Sequence, residues 1–373
     1  MTEPLLIDHH CHGLVTRDLD RAGFEELLTE ADAVSPLGTS LFDSSIGLAV
    51  RRWCAPVLDL PAHAPADDYL ARRAELGAAE VNRRFLRAAG IDTFLVDDGF
   101  RADELTTVDE LGTLAVARAE RIIRLEAAAE EVLARTDEVA FPDAFRAELA
   151  AQAVHAIGCK SIVAYRFGLE LAGERPTDRQ VRFAAGAWQA SGSTRLTHPV
   201  LHRFLIWTGI DLGLPVQFHV GYGDRDVNLH KADPLLLTDL LRNTESAGVP
   251  ILLLHNYPYQ REAAYLAQVF GHVFVDVGLA THNVGFRAGA VLAELLELAP
   301  FGKVLFSSDA FGLAECYHLG SLLFRRALAE FLRAGEVPSA DAHRIVGLLA
   351  RDNAERVYQL TTRRRRENPP APR

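Results

Sequence analysis

The sequence predicts an α/β protein, a (β/α)8 TIM barrel with a helical insertion between its first two strands. Three observations lead there. Short apolar runs of strand length alternate with helix-period stretches along most of the 373 residues, the pattern of a parallel sheet built from βα units. There are eight such runs, the number that closes a barrel. Several of them end in histidine or aspartate, and barrel enzymes carry their chemistry at the C-terminal ends of the strands.

The first run, residues 5–12, reads Leu-Leu-Ile-Asp-His-His-Cys-His and passes abruptly from aliphatic to imidazole. A buried strand whose tip emerges into a polar site has this form. Strand alternation puts His10 and His12 on one face, with His9 and Cys11 on the other. The next section, 13–90, contains no clear strand. Its periodic pieces at 24–28, 46–54 and 69–89 read as helices, with breaks at Ser35-Pro-Leu-Gly38 and Leu60-Pro-Ala-His-Ala-Pro65. It is too long for a plain crossover, so a helical insertion is expected, forming a lid over one end of the barrel. The remaining strands are expected at 92–97, 121–126, 159–165, 215–219, 251–255, 273–277 and 304–309. A doubly wound open sheet is the alternative, but the chain has neither a G-x-G-x-x-G nor a Walker A run.

Composition narrows the function. Hydrophobic residues at 49% and charged residues at 24% are those of a globular protein with a substantial core. A formal net charge of −11 argues against polyanion binding, which depends on basic neutralisation. A small-molecule substrate is therefore expected, with no nucleic-acid or membrane partner. The basic, Pro-rich stretch 363–373 is expected to be a disordered tail after a single domain at 1–362. Cys11, Cys54, Cys159 and Cys316 are far apart and suggest no disulfide framework. The N-terminus carries no basic-then-apolar pattern and no stretch is long enough for a membrane span, so a cytoplasmic location is expected. A homo-oligomer, commonly a dimer, is the prior for a soluble enzyme.

The strand tips carry the functional reading. His10 and His12 close the first strand, His219 the fifth, His255 the sixth and Asp309 the eighth. A histidine after four aliphatic residues, as in Ile251-Leu-Leu-Leu-His255, is by itself more often a packed core residue than a ligand. Three tips ending in imidazole and a fourth in carboxylate make a metal site the better reading.

This constellation resembles the amidohydrolase superfamily, in the pattern Ile7-Asp8-x-His10-x-His12 with a His on strand 5, a His on strand 6 and an Asp on strand 8. The resemblance extends to residues 352–360, similar to that family's closing helix. Further stretches, Lys160-Ser-Ile-Val-Ala-Tyr165-Arg166-x-Gly168, Gln217-Phe-His219-x-Gly221-x-Gly223-Asp224 and His255-Asn-Tyr257-Pro258-Tyr259, resemble one subgroup. It comprises the amidohydrolase-like N-terminal halves of FluG and nodulin-like proteins fused to a glutamine-synthetase-like domain.

The resemblance implies one metal ion held by His10, His12, His219 and Asp309. Nitrogen and carboxylate donors suit zinc, with Mn2+ or Fe2+ as alternatives. It implies that Asp309 accepts a proton from the activated water and that His255 polarises the scissile carbonyl, a further ligand or a supporting role being the alternative for His255. Binuclear members bridge their metals with a carboxylated lysine at the tip of strand 4. Lys160 is expected at the start of that strand, near the barrel bottom, so one ion per chain is expected. Arg166, Glu126 and Tyr257 are the candidates for holding substrate, Arg166 through bidentate contact with a carboxylate. Glu126 or Asp98 paired with a base is the alternative for those two. The implied reaction is hydrolysis of a C–N amide bond, on a γ-glutamyl amide or a related small carboxylate. A mononuclear decarboxylase of an aromatic acid is the second reading, and a non-catalytic metal-binding regulatory barrel the third.

Overall fold

Seven parallel strands form one sheet in chain order: β1 (Leu6–Cys11), β2 (Ile91–Asp97), β3 (Arg118–Arg124), β4 (Ala156–Ser161), β5 (Val216–Val220), β6 (Ile251–His255) and β7 (Val273–Val275). The computed structural model describes residues 4–31 and 35–361, and the expected tail at 363–373 lies outside them. The eighth run closes the barrel without becoming a regular strand. Leu305 N donates to Val275 O at 3.0 Å on one side. On the other, His9 N donates to Phe306 O at 3.1 Å and Asp309 N to His10 O at 3.0 Å. The ladder is broken because a side chain takes over: the Asp8 carboxylate accepts Ser308 N at 2.9 Å and Ser308 Oγ at 2.5 Å.

Apolar residues divide into two shells, as a sheet covered on both faces requires. Ile7, Leu95, Ile122, Leu252, Leu254, Phe274 and Leu305 form the inner shell. Ala354, Val357, Tyr358 and Leu360, from the helix Asn353–Tyr358 and the residues after it, join this shell and plug the barrel from one end. The Tyr358 hydroxyl reaches the polar middle of the barrel, accepting from Gln217 Nε2 at 2.8 Å and lying 3.2 Å from His9 Nδ1. The outer shell packs the other strand faces against the helices.

Between β1 and β2 the regular elements among the described residues are all helical. Its main element, Ala66–Ala89, bends at Gly77, whose φ of 77° is a conformation open to glycine at little steric cost. The second half of that helix starts with Ala78 N donating to Asp18 Oδ1 at 2.7 Å. Tyr69, Arg73, Val81 and Phe85 lie on its buried face, and the helix packs on Ala314–Ala334. Arg73 crosses that contact, with Nε 2.7 Å from Glu315 Oε1, and the Tyr69 hydroxyl donates to the same oxygen at 2.9 Å.

Strand edges differ from expectation most in β3 and β4. β3 ends at Arg124, so Glu126 falls inside the helix Leu125–Leu133. β4 runs from Ala156 to Ser161, and the apolar residues that suggested its continuation form a short helix, Val163–Arg166. The β-branched run Ile162-Val163 lies beyond the strand, while the weak strand formers Ala156 and Gly158 lie within it. This shift reverses the place of Lys160. Expected near the barrel bottom, it stands one residue before the C-terminal end of β4, at the mouth. Among the described residues no helix is long and apolar enough to cross a membrane.

Candidate metal centre

His10, His12 and Asp309 each offer one ligating atom, all within 4.8 Å of one another. Asp309 Oδ1 lies 3.1 Å from His10 Nε2 and 3.4 Å from His12 Nε2. A register slip in the β1–β2 pairing between Asp8 and Cys11 accounts for this convergence. Such a bulge re-aims the side chains beyond it. His9 and His10 therefore both face the barrel interior, correcting the strict alternation expected for β1. His9 Nε2 is 2.8 Å from Asp276 Oδ2, deeper in the barrel, while His10 joins His12 at the mouth. His12 Nδ1 donates to Asp97 O at 2.8 Å, which leaves Nε2 with its lone pair toward Asp309, the orientation a metal-binding histidine needs.

His219 and His255 stand beside this trio, with ring centres 4.7 Å apart. His219 is the expected fourth ligand but falls outside the radius shared by the other three. His255 Nδ1 is 3.3 Å from Asp309 Oδ2, and its ring is 5.6 Å from that of His10. His255 is fully buried and is not among the residues lining the cavity above. His255 thus stands against Asp309 rather than on the cavity lining.

Several of these atoms are buried without a hydrogen bond: His10 Nδ1, His219 Nε2, both ring nitrogens of His255, and Asp309 Oδ1. Each such atom costs about 1–3 kcal/mol if left unsatisfied. Asp309 Oδ1 among them, with the Nε2 atoms of His10 and His12 beside it, makes a set of nitrogen and carboxylate donors that suits a divalent cation. The electrostatics agree. Burial, aided by the nearby Lys160, lowers His10 to about 4 and holds His219 well below the usual imidazole range. Neutral imidazole is the form that binds metal. Burial works to raise Asp309, but His255, His10 and His12 outweigh it and hold the carboxyl well below its usual range.

The backbone is held in an uncommon conformation at the same place. His255, Asn256 and Asp309 have φ of 69°, 57° and 50°, a left-handed region that costs a non-glycine residue roughly 1–3 kcal/mol. The surroundings enforce it: Asp276 Oδ1 accepts His255 N at 2.8 Å, and Asp276 O accepts Asn256 Nδ2 at 2.9 Å.

Lys160 Nζ is 2.8 Å from His10 Nε2. Burial lowers its pKa, although Asp309 and Asp97 oppose the shift. The distance that counted against a part for Lys160 in the centre is therefore gone.

Above the trio opens a cavity of about 230 Å3. His12, Lys160, His219 and Asp309 are among its lining residues, as are Arg124, Tyr165, Arg166 and Arg195. Glu30, from the segment between β1 and β2, lines it together with Asp224 and Asp226. Arg166, expected from the sequence to hold substrate, lines this cavity. Among the described residues its Nε is buried without a hydrogen bond, and its ion pair to Glu130 is 3.5 Å long. Gly223 allows the loop after β5 to close over the site, since a Cβ there would fall 2.2 Å from the Tyr165 hydroxyl and 2.9 Å from His219 Nε2.

Other expected contacts lie elsewhere. Glu126 is fully buried behind the wall, where it accepts from Ser161 Oγ at 2.7 Å and pairs with His202 Nδ1 at 3.1 Å. Asp98 pairs with Arg121 at 2.7 Å. Tyr257 lines a neighbouring, more apolar cleft with Tyr222, Leu28 and Ile46. Glu30 and Arg195 escaped the sequence reading, because no motif marks an acid or an arginine on an irregular segment.

The burial of Glu126 has a measurable consequence. Burial raises its pKa, but His202 and Ser161 outweigh that and the carboxyl sits below its usual value. The folded-state pKa thus lies under the unfolded value of about 4.3. The pair stabilises the fold above that pH, and its contribution is lost as pH falls through the lower folded value. Thermal melts from pH 6 to pH 3 are expected to show a shallower acid decline for Glu126→Gln than for the native chain. Its KM is expected to stay unchanged.

Comparison with known proteins agrees with this geometry. The amidohydrolase family model (Amidohydro_2) matches residues 7–360. A protein from Lactobacillus casei ATCC 334, described by inference as a metal-dependent hydrolase, superposes with a TM-score of 0.86 at 32% identity, over 97% of this chain and 96% of that one. A uronate isomerase from Bacillus halodurans C-125 shares the fold at a TM-score of 0.64 and 15% identity, over 97% and 96% of the two chains. The protein FluG of Emericella nidulans is 28% identical over 99% of this chain and 47% of its own length, so the chain spans about half of that relative. With the family's match running from β1 through the eighth run to the closing helix, the chain belongs to the amidohydrolase family.

Proposed function

We propose that the chain is a metal-dependent hydrolase of C–N amide bonds, acting on a γ-glutamyl amide or a related small carboxylate-bearing substrate. The observation that carries this reading is the His10–His12–Asp309 cluster at a cavity also lined by the Arg166 guanidinium. His10, His12 and Asp309 would hold the cation, with His219 beside them, and the nitrogen and oxygen donors suit zinc before Mn2+ or Fe2+. Bound there, a divalent ion supplies an acidified water and an electrophile for a carbonyl oxygen.

The side chains do the rest. Asp309, ionised and facing the cavity, takes a proton and returns it to the departing nitrogen. His255, 3.3 Å from Asp309 Oδ2, fixes that carboxylate and steadies its charge. Arg166 orients the substrate by a bidentate grip on a carboxylate. The cavity, at about 230 Å3, is below the ~300–1,000 Å3 of drug-sized pockets, which favours a small substrate. The segment between β1 and β2, which brings in Glu30, acts as the lid.

Incubating the metal-loaded protein with a panel of γ-glutamyl and other amides, and separately with aromatic acids, tests the reaction. Release of ammonia or amine supports the hydrolase, whereas release of CO2 from the acids would replace it with the decarboxylase. One ion per chain is supported by the single three-residue ligand cluster among the described residues. Elemental analysis is expected to give one equivalent of metal, and chelation is expected to abolish turnover. Two tightly bound equivalents would overturn the single ion and bring in Lys160 as a bridging group.

A further inference from the structure

His9 belongs to the histidine-rich end of β1, yet it is not one of the clustered ligands. It is 1% exposed and stands in a row of buried polar groups deeper in the barrel. Gln217 Nε2 donates to His9 O and to the Tyr358 hydroxyl, both at 2.8 Å. Among the described residues the hydroxyl's own proton has one acceptor, His9 Nδ1 at 3.2 Å. With Nδ1 accepting, the ring proton sits on Nε2 and is donated to Asp276 Oδ2 at 2.8 Å. The row thus ends on one buried carboxylate.

The other oxygen of Asp276 reaches the walls of the metal centre. Oδ1 accepts His255 N and Gly278 N, each at 2.8 Å. The first amide belongs to the tip of β6, where His255 and Asn256 hold φ of 69° and 57°. The second belongs to the turn after β7, which is pressed against the eighth run. A Cβ on Gly278 would fall 2.1 Å from Ser307 Oγ, two residues before Asp309. One carboxylate therefore ties the segment that carries His255 to a turn that abuts the segment carrying Asp309.

The His255 ring has no such tie of its own. Neither of its nitrogens makes a hydrogen bond, although Nδ1 stands 3.3 Å from Asp309 Oδ2. Its direction is set by the backbone that bears it, and a left-handed backbone at a non-glycine residue persists only where its surroundings impose it.

We propose that Asp276, locked by His9, is the positioning residue of the metal centre: it fixes the tip of β6 so that the His255 ring stands against the Asp309 carboxylate. This goes beyond the amide-hydrolase reading and does not depend on which bond is broken. Without Asp276, the His255 amide is a buried donor with no partner and the left-handed pair relaxes toward ordinary geometry. The ring then swings off Asp309, and a carboxylate no longer held in one orientation binds a cation less tightly.

The test is titration of the chain, stripped of metal by chelation, with Co2+. Visible absorption reports the coordination geometry independently of turnover. Asp276→Ala removes both oxygens and is expected to weaken Co2+ binding about 10- to 100-fold, the range for groups that orient metal ligands, and to change the absorption bands. Asp276→Asn keeps an oxygen for the two amides, with Nδ2 on His9, whose ring accepts once its proton moves to Nδ1. It is expected to bind within about threefold of the native chain, because the orienting bonds remain. His9→Leu, which releases Oδ2 alone, falls between the two. Glu315→Ala destabilises the fold away from the centre, so its bands are expected to be native, which separates positioning from loss of stability.

Native bands and native Co2+ affinity in Asp276→Ala would overturn the proposal, as would the same band change in Glu315→Ala. If Asp276→Ala does not fold, His9→Leu decides by the same two readouts, and native values there overturn the assignment. A native chain that binds no Co2+ overturns it together with the metal centre. Bands and affinities in the expected order, with no amide turned over, leave the positioning role standing and sink the hydrolase reading.

Discussion

Asp309→Asn is expected to lower amide hydrolysis by about 10²- to 10⁴-fold, the loss typical of a positioned acid–base group, while the fold survives. The amide keeps the shape and one oxygen for the cation, so the backbone bond from Asp309 N to His10 O and the packing around it are retained. What is lost is the ability to accept a proton at the cavity. His255 cannot replace it, because its ring is buried below the lining. The informative readouts are kcat and metal content together. A variant that keeps its metal and its melting temperature but loses kcat supports the proton-transfer role. Undiminished kcat would refute it. Loss of metal with loss of kcat would assign Asp309 to ligation alone.

Glu315→Ala is expected to destabilise the fold by about 3–5 kcal/mol, the usual cost of leaving one partner of a buried ion pair uncompensated. Glu315 is fully buried and Arg73 is 5% exposed. Arg73 Nε at 2.7 Å and the Tyr69 hydroxyl at 2.9 Å converge on one Glu315 oxygen. Removing the carboxylate strands a guanidinium between two helices and frees the hydroxyl. Against a typical total of 5–15 kcal/mol, this is a large share. Urea denaturation measures it, and a change under 1 kcal/mol would show that water or rearrangement satisfies Arg73. Because the pair anchors the helix Ala66–Ala89, activity is also expected to become temperature-sensitive before global unfolding, as the lid loosens.

The barrel was legible from its sequence because strand and helix periods differ and because a parallel sheet buries both faces. Even β6 was read to the residue, Ile251 to His255. Its run of four aliphatics has no competing reading. The eighth segment kept its place but not its strand character, since Asp8 and Ser308 exchange side-chain bonds where ladder bonds were expected. No propensity encodes that exchange.

In the site, His10, His12 and Asp309 were legible as abrupt polar ends to apolar runs. Lys160 was not, because the apolar Ile162-Val-Ala164 that follows it looks like strand and is a short helix instead. A shift of strand edge moved one lysine from the expected barrel bottom to within 2.8 Å of a candidate ligand. Glu126 failed for the opposite reason. Its place near a strand end was close to correct, but the helix after β3 turned it to face His202 rather than the cavity. Glu30 carried no local signal, being a single acid on an irregular segment that meets the barrel only through tertiary packing.

The most direct test of the account is anomalous diffraction from crystals of the metal-loaded protein, collected at the absorption edge of the bound metal. The account predicts one strong peak about 2.0–2.2 Å from His10 Nε2, His12 Nε2 and an Asp309 carboxylate oxygen, the distances of a zinc site with these donors. A peak at other residues, or no peak in protein whose metal content is one per chain, would contradict it.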